Sequence, residues 1–345
     1  MHVLMMSLAG VICGADGWEA LEEFAESRQD WFEQFFDLPN GTPSADTFRR
    51  VFCALDPVAF EECFRKWIED VAAPFRGEVV AIDGKTLRGA FNRANAKSPL
   101  HLVHVWATEQ HLVLGQQEAK GGAPGEPSTI IEMMKQLKLK DAVVTIDANG
   151  CSSAVTAAAR EAKADYVIAT KGNRKPQLEC IQRAFADVED ADRSTASSTN
   201  SGHGRHEARI VQAIAAKGWQ WPEWRDVRSF VMVERVRKNR DEEPSTETHF
   251  FISSLPPDAS VLAKKIRAHW GVENMHWQLD VAFREDDQRI EDRVGATNFA
   301  LLNRLALMML RNEKTKKKGA PTKRKRAGWD TNYLALVMAA GISPT

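Results

Sequence analysis

The sequence predicts an α/β protein: a helical block comes first, a sheet-containing block follows, and a β-rich insertion interrupts the latter. Three observations carry this. Residues 3–75 repeat aromatic and aliphatic side chains at helical spacing. Two short runs, Val79-Val80-Ala81-Ile82 and Ala142-Val143-Val144-Thr145-Ile146, have the length and unbroken apolarity of strands buried on both faces. Between about 195 and 255, strand-like stretches succeed one another without helical periodicity.

The bulk numbers agree. With 345 residues, 43% hydrophobic and 27% charged, the chain has material for a sizeable core and two domains. A net charge of -1 neither demands nor excludes nucleic acid, since local clustering decides that. The five cysteines are scattered, with no CxxC or Cys/His zinc spacing, which fits a reducing, cytoplasmic setting. Met1 to Cys13 is apolar but has no Lys or Arg ahead of the apolar run and is too short to span a bilayer. A buried helix is expected there, and no membrane partner.

In the first block, Trp18, Leu21, Phe24 and then Trp31, Phe32, Phe35 and Phe36 mark helices. A loop at Pro39–Pro43 follows, and Ser44 opens a helix with Phe48, Val51, Phe52 and Leu55 on one face. Asp56-Pro57 breaks it, and Phe60, Phe64, Trp67, Ile68 and Val71 mark another. The basic residues here read as a solvated face.

The second block opens on the stretch that organises the chain, Glu78 to Gly89. Its first strand is expected to end at Asp83, stopped by Gly84, with Lys85 and Arg88 close behind to receive anions. The same pattern returns at Ile146-Asp147-Ala148-Asn149-Gly150. A single Asp in such a place is a turn or cap residue. Two of them, each after a buried Ile, bring like charges side by side, and such a pair calls for a cation. Leu100–Thr108 and His111–Gln117 read as an antiparallel hairpin, Gly121–Pro127 as a loop and Ser128–Leu137 as a helix. After the Asp147 strand come a helix over Ser152–Ala162 and a strand over Asp165–Thr170, which ends in Lys171. Three meandering strands followed by two reached through helices is the order of an RNase H-like sheet, where ligands gather at strand C-terminal ends.

A helix over Gln177–Asp187 fades into Ser194–Ser201, which reads as a polar loop. Gly202–Arg209, with two His and a Glu, is either a metal site or a polar turn entering a strand. Strands are expected over Ile210–Ala215, Val227–Val236 and Thr248–Ser253. The intervening Trp219, Trp221 and Trp224 either stack on bases or close a hairpin. A helix starting after Pro256-Pro257 carries Arg267, His269, Glu273, His276 and Asp280 on an otherwise apolar frame. Glu273 lies one turn from His269, so the two share a face. Aimed at the Asp pair, Glu273 completes a three-carboxylate cage; alone, it is a surface residue. Phe299–Leu310 is an apolar-faced helix. Lys314–Arg326 holds eight basic and no acidic residues, a solvated tail or a phosphate-backbone contact.

Six segments resemble the transposases of H-repeat-associated insertion sequences, within the wider DDE transposases. They are Pro39–Pro57 (PNGTPSADTFRRVFCALDP), Val79–Gly89 (VVAIDGKTLRG), Val144–Cys151 (VTIDANGC), Asp165–Asn173 (DYVIATKGN), Gly202–Arg209 (GHGRHEAR) and Ile266–Asp286 (IRAHWGVENMHWQLDVAFRED). They occur in order, and the resemblance they carry extends over nearly the whole chain. The resemblance implies a helical associated domain over residues 1–75, an RNase H-like catalytic domain over 76–312 and a basic C-terminal tail over 313–345. It implies Mg²⁺, with Mn²⁺ as substitute, held by Asp83, Asp147 and Glu273, and argues against zinc because the ligands are hard oxygens. It implies double-stranded DNA as partner, both element ends and target, bound by a homodimer or larger assembly in a bacterial cytoplasm. The DNA contacts expected are Lys85, Arg88, Lys171, Arg205, Arg267 and His269. Where the wider group carries Tyr, Arg and a later Lys around its Glu, this chain has Ile266, His269 and Asp280; His269, Arg267 and Lys171 then stand as candidates for the terminal phosphates. The chain resembles the family from a point inside its first helical region. A transposase that cuts and joins DNA is the leading expectation, ahead of a transposase-derived nuclease or an inactive DNA-binding remnant.

Overall fold

The chain divides into two compact units in a computed structural model that describes residues 2–90, 99–202, 205–239 and 243–340. The first comprises Met1–Pro74, Gly84–Pro124 and Glu273–Thr345, and the second Phe75–Asp83 and Gly125–Val272.

The first unit is mostly helical at its start: α1 (His2–Cys13), α2 (Trp18–Ser27), a single turn α3 (Gln29–Phe32), α4 (Ala45–Ala54) and α5 (Pro57–Val71). Ser44 caps α4 as the sequence announces, and Asp56, read there as a break, also caps α5. Ser44 Oγ accepts from the Thr47 amide at 3.3 Å, and Asp56 Oδ1 accepts from Val58 at 2.8 Å, with Pro57 opening α5. α1 is not a surface anchor, for Met6 to Ile12 are buried. Among the described residues no single helix is long and apolar enough to cross a membrane. These helices gather around α10 (Arg293–Asn312), where Asp292 caps the start and Phe299 to Leu302 are inside. The Trp18 ring meets Phe299 edge-on at 5.2 Å, and Asn298 Nδ2 donates to the Phe52 and Leu55 carbonyls at 2.9 and 2.8 Å, closing the open end of α4. The hairpin appears as expected, β2 (Leu100–Ala107) against β3 (Leu112–Glu118), Ala107 facing Leu112.

Two expectations change here. β1 (Val79–Leu87) does not stop at Gly84; its last four residues run on, with Lys85 and Leu87 turned inward and Thr86 outward. An alternating half-buried pattern replaces the fully buried one, and Gly84 hides the change. The basic run is not simply a solvated tail. From Ala320 it forms α11 (Ala320–Trp329), followed by α12 (Thr331–Ala340). Lys323 donates to the Leu310 carbonyl at 2.8 Å and pairs with Glu313 at 3.4 Å, while Arg324 donates to Val11 O and lies 4.0 Å over the Phe283 ring. Buried carbonyls at helix ends need donors, and long basic side chains reach them. Lys314, Lys316, Lys317, Lys318, Lys325 and Arg326 stay exposed.

A buried polar network also belongs to this unit. Arg304 of α10 is 0% exposed and forks onto Glu285 at 2.6 and 3.3 Å. Lys85 reaches the same carboxylate at 3.3 Å and also pairs with Asp280. Burial would raise the Glu285 carboxyl, but Arg304 and Lys85 outweigh it and leave it below the ordinary range. Nearby, His104 is 0% exposed and meets His276 at 3.1 Å. Burial first, then the charges of Arg304, His276 and Lys85, keep His104 neutral far below its usual range. This network ties the end of β1 to the second half of α9 (Ala259–Phe283), which Arg284 ends in a left-handed conformation at φ 53°.

The second unit is a mixed sheet, in the order β1, β4 (Val143–Ile146), β5 (Asp165–Thr170), β9 (Ser245–Ser253), β8 (Ser229–Asn239), β7 (Arg205–Ala215), β6 (Ser194–Gly202). β1, β4 and β5 are parallel and mostly apolar where they pair, Thr145 and Asp165 being the polar exceptions; the other strands are antiparallel. The crossovers are α6 (Glu126–Gln136) and α7 (Ser153–Glu161), and α8 (Lys175–Asp187) leads out of β5. One face is covered by the first half of α9. Ala259, Leu262 and Ile266 meet Val143, Val167, Val211, Val231 and Val233. The insertion is therefore not a separate layer. Its four strands extend the parallel sheet.

Ser194–Ser201 is a strand rather than a loop. It pairs along its length with β7, from Ser194 opposite Ala213 to Gly202 opposite Arg205. Its serines and threonines carry no hydrophobic period, so backbone pairing alone makes it a strand. Trp219, Trp221 and Trp224 pack on one another, with centroids at 4.8 and 5.8 Å, and close a hairpin rather than forming an open stacking platform.

Candidate metal centre

The parallel register places two of the sequence-picked carboxylates. Ile82 pairs with Ile146, and Asp83 and Asp147 each follow one residue later. Two neighbouring strands thus release an Asp at the same level. The Asp147 carboxylate accepts from the amides of Asn149 at 2.9 Å and Gly150 at 3.3 Å, an Asx turn that fixes its orientation. Gly150 is required there, because a Cβ would fall onto the Ile146 Cγ2 methyl and crowd Ile130.

The third carboxylate in this cluster is Glu126, which the sequence reading leaves inside a loop. Carboxylate oxygens of Asp83, Glu126 and Asp147 all lie within 4.8 Å of one another. Glu126 is the first residue of α6 and is 2% exposed; the two aspartates are half-buried. At an effective dielectric of about 20, two unit charges this close repel by roughly 3 kcal/mol. The Asp147 carboxyl registers this. Burial, then Glu126, then Asp83 push its pKa from 3.8 to about 6, against the two amides that favour the anion. An all-oxygen acidic donor set could hold a hard divalent cation.

The sign of the pH effect follows. The Asp147 pKa is raised on folding, so its contribution is fully present below 3.8 and is lost as pH rises through about 6. Without divalent ions, thermal melts between pH 4 and 7 should show wild type losing stability relative to Asp147→Asn as pH rises. Parallel curves across that range would contradict the burial and repulsion described.

The remaining sequence-picked residues fall as follows. His269, on α9, shares a 2.9 Å hydrogen bond between its Nδ1 and Thr145 Oγ1, two residues before Asp147 on β4. Arg267 is exposed on the same helix and Lys171 is exposed just after β5. Arg205 begins β7, and its side chain lies outside the described residues, as do His203 and Gly204. Glu273 is exposed on α9 and belongs to the first unit. In that unit too, Arg88 is exposed with Asp286 at 3.7 Å, whereas Lys85 is buried among Asp280, Glu285 and Asp286. The Lys85 ammonium is thus committed to internal carboxylates. Arg209, unremarked in the sequence beyond its motif, lies 3.9 Å over the Trp270 ring, with Arg235 on the same ring at 5.4 Å.

Comparison with known proteins supplies the family. The profile described as "Transposase DDE domain" matches residues 74–309, and that described as "DDE_Tnp_1-associated" matches residues 1–68. "Putative transposase YncI" of Escherichia coli O157:H7 is 33% identical over 98% of this chain and 88% of its own length. "H repeat-associated putative transposase YhhI" of Escherichia coli (strain K12) is 31% identical over 99% of this chain and 93% of its own. "Uncharacterized protein in dhlA 3'region" of Xanthobacter autotrophicus is 36% identical over 74% and 87%. With both kinds of comparison running almost end to end, this chain belongs to the DDE transposase family, alongside the H-repeat-associated transposases.

Proposed function

We propose that the chain is a DNA transposase that cuts the ends of an insertion sequence and joins them to target DNA by metal-dependent phosphoryl transfer. The observation that carries this is the pair Asp83 and Asp147, set side by side by strand register in a chain of the DDE family. The acidic set is read as Asp83, Asp147 and Glu273, the last supplied by the family motif in α9. The core is read as RNase H-like on the same grounds. A divalent cation, when bound, supplies Lewis-acid stabilisation of charge building on the phosphoryl and leaving oxygens.

The chain's own residues do the rest. Asp83 and Asp147 would hold the ion just past the last paired residues of β1 and β4, Ile82 and Ile146. The Asp147 carboxylate is fixed by two amides, so it needs no reorganisation when loaded. His269, hydrogen-bonded to Thr145 on β4, is read as a contact to a terminal phosphate. Exposed Arg267, Lys171 and Arg88, together with Arg205, are read as backbone contacts to double-stranded DNA, with a homodimer or larger assembly holding two ends. Such contacts make binding weaken with salt.

A strand-transfer assay tests this reading. Protein, Mg²⁺, a target plasmid and precut DNA carrying the short inverted repeats that flank the gene should give joined products. Cleavage without joining would instead favour a nuclease. Neither reaction, under conditions where the protein binds the repeats, would remove the catalytic reading.

A further inference from the structure

A chain of net charge -1 carries eight basic and no acidic residues between Lys314 and Arg326. Folding sorts them. On α11, Ala320, Lys323, Arg324 and Ala327 are buried, whereas Pro321, Thr322, Lys325, Arg326 and Trp329 are exposed. Residues three and four apart share a helix face, so Lys325, Arg326 and Trp329 stand together on the outer side. Lys323 and Arg324 donate to the Leu310 and Val11 carbonyls and so fasten α11 within the first unit. The loop ahead of it, with Lys314, Lys316, Lys317 and Lys318, is exposed.

This outer side is not neutralised from within. The acid just before the run, Glu313, is 2% exposed and turned inward onto Tyr333 Oη at 2.6 Å and Lys323 at 3.4 Å. Lys314 donates to the Arg311 carbonyl at 2.9 Å, and Arg326 meets Asp330 at 3.6 Å. Among the described residues, Lys316, Lys317, Lys318 and Lys325 form no ion pair. Trp329 is 79% exposed, so no other element covers this face of α11. The complement of a cationic, acid-free surface is a polyanion. Lysine is a flexible point charge with donors only, which suits phosphate oxygens and reads no base edge bidentately. α11 is about 15 Å long, roughly four base steps of duplex at ~3.4 Å each, so helix and loop together reach several phosphates.

We propose that Lys316, Lys317, Lys318 and Lys325 form a contact to the phosphate backbone of double-stranded DNA that is indifferent to base sequence. This rests on the reading of the chain as a DNA transposase, and it names residues other than Arg88, Lys171, Arg205 and Arg267.

The salt dependence of binding tests it. Full-length wild type and a variant combining Lys316→Gln, Lys317→Gln, Lys318→Gln and Lys325→Gln are titrated, without divalent ions, onto two duplexes of equal length. One carries the repeats that flank the gene and the other is unrelated. Each phosphate contact adds about 0.9 to the slope of log affinity against log salt, so the variant's slope should be shallower by roughly 3 on both duplexes. The same four positions changed to Arg keep their charge and should bind as wild type does. Arg88→Gln with Arg267→Gln reports on the underlying reading. If that pair weakens binding while the lysine variant matches wild type in slope, the chain binds DNA and the proposal is wrong. If wild type binds neither duplex, both fall. A loss confined to the repeat duplex would mean sequence readout and overturns the proposal. So would lysine-dependent sedimentation with phosphatidylserine vesicles alongside unchanged duplex binding, which assigns the face to an anionic membrane. Should the combined variant melt early, Lys316→Gln with Lys317→Gln, and Lys318→Gln with Lys325→Gln, should each show about half the change in slope.

Discussion

Asp83→Asn and Asp147→Asn should each leave DNA bound but uncut. Asparagine keeps the size and the amide-accepting oxygen of the side chain, so the Asx turn after β4 survives in Asp147→Asn. What is lost is a negative oxygen in the cluster of three. If the ion's stabilisation of the reacting phosphoryl group amounts to several kcal/mol, removing it slows cleavage by roughly three orders of magnitude. Gel-shift measurements with an end-containing duplex should give nearly unchanged affinity, because the proposed phosphate contacts are basic residues elsewhere. Cleavage by either variant within tenfold of wild type would end the assignment of these two aspartates. Loss of binding along with cleavage would point to a damaged fold.

Arg304→Ala should be the most destabilising single change outside the centre. Arg304 is 0% exposed and forks onto Glu285, which is itself 2% exposed. Truncation strands a buried carboxylate with Lys85 as its chief remaining cation and opens a void in α10. Breaking one partner of a buried pair costs about 3–5 kcal/mol. Urea unfolding of the full chain should show a correspondingly lower midpoint. The pH signature runs opposite to that of Asp147. The Glu285 carboxyl is held below 4.5, so its contribution is present above that value and fades as pH falls below it. A midpoint for Arg304→Ala equal to wild type would mean the pair contributes nothing net.

Much of the frame was legible in the sequence, for identifiable reasons. β4 and β5 are mostly apolar runs between clear stops, and their limits lie within a residue of those read from the sequence. Asp83 and Asp147 stood out because the same Ile-Asp ending occurs twice, and register then makes it a pair. Glu126 was illegible because a buried carboxylate on a first turn looks, in one dimension, like part of the preceding glycine-rich loop. β6 was illegible because strand signals are side-chain signals, and it has almost none. Lys323 and Arg324 were hidden in a run whose other members are exposed; only the helical period of α11 separates inner from outer. Lys85 reads as an anion receiver beside Asp83, and only the fold reveals that Glu285 and Asp280 engage it from nearly two hundred residues away in sequence.

The serine-rich edge strand has a practical consequence. Its near end is moored: the Ala259 amide donates to Ser194 Oγ at 3.0 Å, Arg193 grips Gln212 Oε1 at 2.7 Å, and Ala196 rests on the apolar cluster under α9. Farther out, from Ser197 to Ser201, the side chains are small and polar, with Ser201 Oγ sharing a 2.9 Å hydrogen bond with His206 Nδ1 across the pair, and a polar, two-sided strand specifies its own register only weakly. Sequence drift or an engineered tag in that outer half should therefore be absorbed without disturbing the acidic centre, whereas changes at Arg193 or Ser194 would loosen the start of the helix that carries His269.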